Sequence, residues 1–193
     1  MKFIKSVLLI FLSLVLFTIC AHADDDRRYS ETIDVFSKSD AVKPFFDNAY
    51  GWAVFPTVGK GGFVLGGAYG AGRVYLKDRV SGKTTLMKVS IGFQLGGQAF
   101  SEIIFFEDEW AYNKFTSGNF EFDGSLSAVV ITAAAQAQTS TQGNTAGASL
   151  GPATGSQTET SYTKGMAIFI HTLGGLMYEM SVGGQKFTFT PIN

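Results

Sequence analysis

Several residue groups in this chain have the types and spacing for chemistry, and each can be tested against what that chemistry requires. Gly82-Lys83-Thr84 has the tail of a phosphate-binding loop, in which the lysine meets a nucleotide phosphate and the threonine holds a magnesium ion. Such a loop needs a glycine five residues before the last one, and Lys77 stands there, so the triplet reads as a hairpin turn. Gly67, Gly70 and Gly72 give the spacing GxxGxG, the reverse of the dinucleotide fingerprint. Arg73-Val74-Tyr75-Leu76 then continues as strand where that fingerprint needs a helix. His171 has the chemistry of a general base, and a hydrolase built on it is the one concrete enzymatic reading. Its neighbours Ile168, Phe169, Ile170 and Thr172 describe a strand, which favours a packed, hydrogen-bonded histidine. The acidic runs Asp24-Asp25-Asp26 and Glu107-Asp108-Glu109 lack the alternating ligand spacing of a calcium loop and read as solvated charge and a helix start. No catalytic residue, metal-ligand set or cofactor is therefore expected.

The elements that position these residues begin with an exported leader. Lys2 and Lys5 precede an apolar run from Val7 to Ile19 and a small-residue cleavage site at Ala21-His22-Ala23, the pattern of a signal peptide over residues 1–23. The run is shorter than the roughly 20 residues of a membrane span. Cys20 follows Ile19, where lipoprotein processing needs a small residue. Cleavage leaves 170 of the 193 residues, with no cysteine and with His171 as the one imidazole, so disulfides and Cys/His zinc sites are excluded. Lys2 and Lys5 leave with the leader, so 13 of the 15 basic residues face 16 acidic ones, a net charge of −3. No global basic field favours nucleic acid. Residues 24–193 fit one domain with a sizeable core.

Tyr29, Ile33 and Phe36 recur at helical spacing between charged residues, and a second helical piece begins near Ser39-Asp40, with Pro44 in its first turn and Phe45, Phe46 and Ala49 on one edge. These stripes either pack on the domain or lie in a lipid headgroup layer, with Arg27, Arg28, Lys38 and Lys43 near phosphates. After Gly51-Trp52-Ala53-Val54-Phe55-Pro56 the composition shifts to Gly, Val, Phe, Leu and Tyr, and strands are expected from there to Phe106. Val74-Tyr75-Leu76 and Leu86-Met87-Lys88-Val89 should form a hairpin across the polar connection 77–82. GFVLGG at Gly62 to Gly67 returns as GFQLGG at Gly92 to Gly97. In each copy the large residues (Phe63 and Leu65, Phe93 and Leu95) would share one strand face, and glycines Gly62, Gly66, Gly67, Gly92, Gly96 and Gly97 would permit a sharp bend or a close backbone approach. A half-buried strand is expected from Ile91 to Ala99. Acid at Glu107 to Glu109, an apolar side of Trp110, Ala111 and Phe115, and Ser117-Gly118 at the end mark a helix. Residues 132–160, dominated by Ala, Gln, Thr, Ser and Gly, suit either an exposed strand around 135–142 or a loop. Strands are expected again at Met166 to Thr172, Met177 to Val182 and Gln185 to Thr190. The fold class is thus α+β and β-rich: a closed or strongly curved antiparallel sheet with flanking N-terminal helices and one internal helix.

FFDNAYGWAVFPTVGKGGFVLGGAYGAGRVY, Phe45 to Tyr75, resembles the opening signature of the SYLF domain, a lipid-binding module. SIGFQLGGQAFSEIIFF at Ser90 to Phe106 is similar to the family's second glycine-rich strand, and SYTKGMAIFI at Ser161 to Ile170 to its later Ser-Tyr-x-x-Lys-Gly segment. The chain departs from the family between Ser125 and Thr160, where a short Ala-Ala-Gly-Pro stretch is usual. The resemblance implies a non-catalytic domain that contacts anionic, phosphoinositide-like phospholipid headgroups. Some relatives bind actin, which the leader makes implausible; a periplasmic or secreted protein, peripheral on a membrane, is implied instead. Within that reading Lys60, in the Gly59-Lys60-Gly61-Gly62 turn, Arg73, after the glycine run, and Lys164, before Gly165, are the cations to meet phosphate, beside an apolar edge that inserts shallowly. The alternative is a small outer-membrane barrel or structural envelope protein, against which stand the short strand runs and the ending Pro191-Ile192-Asn193 in place of a terminal aromatic.

Overall fold

A single sheet organises the molecule. The computed structural model describes residues 25–62, 65–91, 98–122, 128–131, 161–174 and 184–192. Their strands are β1 (Gly51–Gly62), β2 (Leu65–Leu76), β3 (Arg79–Ile91), β4 (Gln98–Phe106), β5 (Asn119–Glu121), β6 (Val129–Ile131), β7 (Met166–Gly174) and β8 (Lys186–Pro191). They lie in the order β5-β8-β3-β2-β1-β4-β7-β6. Neighbours from β5 to β7 run antiparallel, and β6 joins β7 in parallel.

The sheet is strongly curved but not closed. On a flat sheet Phe55 of β1 and Phe187 of β8, three strand spacings apart, would be separated by about 14 Å; their ring centroids lie 5.7 Å apart. Phe115, on the helix α3 (Glu109–Phe115), fills the concavity and touches both Phe106 of β4, at 4.9 Å, and Phe187, at 5.1 Å. The concave face carries one cluster that includes Phe55, Phe100, Ile104, Phe106, Phe115, Phe120, Phe122 and Phe187. Burying each such ring contributes roughly 1.5–3 kcal/mol. The expectation of closure is corrected by the strand order: β5 and β6 stand at the two ends, and no pairing joins them among the described residues.

Glycine makes the curvature possible, although not where the repeat suggested. A Cβ on Gly72 of β2 would sit 2.5 Å from the Phe55 ring, and one on Gly70 would sit 2.8 Å from the Val58 side chain. These two glycines face the concavity and leave room for side chains of the neighbouring strand. The two ends of the first repeat copy belong to different strands, since β1 ends at Gly62 and β2, from Leu65, pairs back on it through Gly62↔Gly66 and Gly61↔Gly67, while residues 63 and 64 lie outside the described residues. The second copy, at 92–97, lies outside the described residues, as do the readings made for the leader, for 132–160 and for 177–182.

The convex face is covered over part of its extent by α1 (residues 25–37) and α2 (Lys43–Asn48). The stripes read from sequence face the sheet: Tyr29, Phe36 and Phe45 are buried and Ile33, Phe46 and Ala49 partly buried, packing together with Val42 against Trp52, Val54, Tyr75, Ile103, Phe105 and Phe169. This corrects the reading in which one stripe lies among lipid headgroups. Pro44 occupies the first turn of α2, where its missing N–H has no intrahelical role. Helix α3 starts as its acidic run implies, with the Asp108 carboxylate accepting from Ala111 N at 2.8 Å. The β2–β3 connection is tighter than the 77–82 segment expected. It narrows to Lys77 and Asp78, both with positive φ (49° and 65°), the backbone of a type I′ hairpin turn.

Candidate functional site

Side chains alternate along β2 and β3, so Tyr69, Ala71, Arg73 and Tyr75 share the convex face with Lys83, Thr85, Met87 and Val89. Helix α1 covers the Arg73–Tyr75 half of that face and leaves the other half open. There Tyr69 is 58% exposed, Met87 51% and Val89 77%. Tyr69 is directly opposite Met87, and Val89 is opposite Gly67, which has no side chain to shield it. Lys186 of β8 lies beside Met87 in the register, and Lys83 stands four residues along β3 on the same face. Lys186 meets Glu121 loosely at 3.5 Å, with both side chains more than half exposed. The Thr85 and Thr188 hydroxyls hydrogen-bond each other at 2.6 Å between these cations. The result is an apolar patch bordered by lysines on the open part of the sheet.

The cations singled out by sequence are dispersed. Arg73 is 16% exposed, donates to Asp26 at 2.6 Å and to Asp25 at 2.7 Å, and lies 4.1 Å above the Tyr29 ring. Burial opposes its charge, but the two carboxylate hydrogen bonds prevail and raise its pKa. It fastens α1 to the sheet. Arg27 pairs with Glu31 at 3.6 Å, Arg28 with Asp25 at 2.8 Å and Lys38 with Asp34 at 2.5 Å, all along the solvent side of α1. Lys43 is exposed at the start of α2. Lys60 lies near the end of β1, opposite Ala68 and Gln98. Lys164 is exposed with φ 55° in the turn before β7, beyond the opposite end of the sheet, so Lys60 and Lys164 do not converge. Gly62 and Gly66 pair at the β1–β2 hairpin and Gly67 opposes Val89, whereas Gly92, Gly96 and Gly97 fall outside the described residues.

His171 lies edge-on to Phe36, 6.5 Å between centroids, and burial lowers its pKa. Among the described residues no serine or carboxylate hydrogen-bonds to it, and no group of His, Cys, Asp and Glu has the arrangement to hold a metal ion. A cleft of about 630 Å³ between α2 and the start of β7 is lined by Asp40, Phe45, Glu107 and Tyr162 among others. The Tyr162 hydroxyl has no partner among the described residues, and burial with the nearby Glu107 pushes its pKa up to about 12.

The most unusual polar group is inside the sheet. Glu102 of β4 is fully buried on the concave face between Phe100 and Ile104, with Phe55 and Ile170 as its cross-strand neighbours. Its Oε2 accepts a 2.9 Å hydrogen bond from Nε2 of Gln185, which is also buried. Burial pushes the carboxyl up to about 8, against smaller opposing effects of the Gln185 hydrogen bond and the Lys88 charge. Sequence reasoning passed over this residue. The available signal was a lone carboxylate at an apolar position of the run Phe100, Glu102, Ile104, Phe106. The exposed patch was equally missed, because nothing local says which part of a sheet a helix will cover.

No family model matches the chain. It is 28% identical over 158 residues to Beta cell expansion factor A of Aeromonas veronii, an alignment covering 80% of this chain and 51% of that protein. The chain thus spans about half the length of the curated relative it matches.

Proposed function

We propose that this protein is a non-catalytic module that docks peripherally on anionic phospholipid surfaces, as its resemblance to the SYLF domain implies, through the uncovered half of its convex face. The observation that carries the reading is the exposed Tyr69–Met87–Val89 patch beside Lys83 and Lys186. Apolar side chains held on a sheet lose little conformational freedom on insertion, and each lysine near an anionic surface contributes about 1 kcal/mol. A net negative chain docks in this way only if its cations act locally. The barrel alternative draws less support, because the helices buried against β1, β4 and β7 occupy a surface that a membrane barrel would present to lipid.

Cosedimentation with vesicles tests the reading. Binding should be stronger on anionic than on neutral vesicles and should decline as salt rises. Val89→Asp should abolish it, and Lys83→Glu with Lys186→Glu should weaken it at least about tenfold. Lys60→Ala and Lys164→Ala, run alongside, measure what those two cations add. Equal binding to neutral and anionic vesicles, or full binding by Val89→Asp, refutes the docking face.

A further inference from the structure

Glu102 and Gln185 are joined across the interior of the curved sheet by strands that are four positions apart in its order. On a flat sheet that separation would be about 19 Å. The bond therefore exists only while the curvature does. Two buried oxygens in this pair have no partner among the described residues: Oε1 of Glu102 and Oε1 of Gln185. Leaving both unsatisfied is costly. In a reciprocal acid–amide pair one proton satisfies both oxygens: a neutral carboxyl donates from one oxygen to the amide oxygen, while the amide N–H donates to the other, as Nε2 does to Oε2 here.

We propose that Glu102 and Gln185 form a proton-dependent latch, in which one proton on the Glu102 carboxyl closes a reciprocal acid–amide pair that clasps β4 to the chain entering β8, and loss of that proton frees the β5–β8 edge. Gln185 is placed to act as the node. Its backbone carbonyl accepts from Phe122 N at 2.9 Å, and the neighbouring Gly184 N donates to Phe122 O at 2.9 Å. The side-chain bond thus couples β4 to the residue that follows β5 as well as to β8. The carboxylate left after ionisation keeps an acceptor for Nε2 but has no donor for the Gln185 oxygen, and it places a charge among phenylalanines. Among the described residues, Lys88 of β3 is the charged group whose field reaches Glu102, and it favours the open, ionised form. Phe55 of β1, Phe100 and Ile104 of β4 and Ile170 of β7 carry no charge to offset the burial.

Two measurements on the full chain test the latch. Infrared difference spectra with labelled glutamate should show a protonated-acid carbonyl band in wild type near neutral pH that disappears on alkalinisation and is missing from Glu102→Gln. Amide exchange of Phe122 and Phe187, taken as a ratio to that of Val54 and Val74 so that the intrinsic pH dependence cancels, should rise about tenfold between about pH 6 and about pH 10 in wild type. Glu102→Gln supplies a permanent N–H donor, and its ratio should stay constant. An absent acid band at the lower pH, a constant ratio in wild type, or the same rise in Glu102→Gln overturns the latch. If Glu102→Gln does not fold, the wild-type spectra and exchange ratios decide the matter by themselves.

Discussion

Arg73 shows how a residue with binding chemistry becomes a fastener. Two carboxylates and a ring surround it, and both carboxylates come from the first turn of α1, 47 and 48 residues away. Arg73→Ala should lower stability by about 1–2 kcal/mol in a denaturant titration, the modest value reflecting how exposed Asp25 and Asp26 are, and should leave vesicle binding unchanged. Glu102 makes the opposite kind of contribution. Its folded pKa is raised, so the folded state binds a proton more tightly than the unfolded chain. Its stabilisation is complete at acid pH and is lost as pH climbs from about 4.5 to about 8. Chemical denaturation across that window should show stability falling by roughly 1 kcal/mol per pH unit in wild type, with a flatter profile in Glu102→Gln. His171 acts in the other direction, because its depressed pKa costs stability as pH falls below the ordinary histidine range.

At the scale of elements, the decisive contacts are those in which one strand lends space to the next. Gly72→Ala would press a methyl group against the Phe55 ring and against the Val54 carbonyl at 2.8 Å, and Gly82→Ala would meet the Phe189 ring. Each should lower the melting temperature, with a cost of about 1–3 kcal/mol. Gly59→Ala, whose Cβ meets nothing within 4 Å, is the matched control and should be near neutral. The local elements were largely legible in the sequence. Helical spacing located Tyr29 and Phe36, acid before Trp110 located the start of α3, and apolar runs between turn signals located the β2–β3 hairpin, β7 and β8, whereas β5 and β6 were not read. What was hidden is relational. The repeat at Gly62 looked like a strand because each copy is apolar and alternating, and only pairing reveals that its two ends belong to different strands. Tyr69, Met87 and Val89 have the same alternating pattern as their buried neighbours, and their exposure depends on which part of the sheet α1 covers. The Glu102–Gln185 bond joins residues 83 positions apart, beyond the reach of any local signal.

At the scale of the molecule, the described residues form one curved sheet with a filled concavity and a half-clad back. Phe115 ties the two sides of the curve together, and Phe115→Ala should therefore cost about 3–5 kcal/mol, more than a substitution of similar size near the rim, as read by unfolding midpoints. The division of labour between the two faces follows from this. Among the described residues the concave side is committed to packing, and the uncovered part of the convex side is the surface proposed to dock.

The short terminal strands carry one more implication. A sheet that fails to close must end somewhere, and unfinished ends invite other chains to add on. Among the described residues, β5 runs for three residues, and the stretch of β8 extending past β5 finishes at Pro191, which has no N–H to donate. A stray strand arriving at that margin would find few rungs to grip, so this border of the open architecture is protected against fibrous growth by its own brevity.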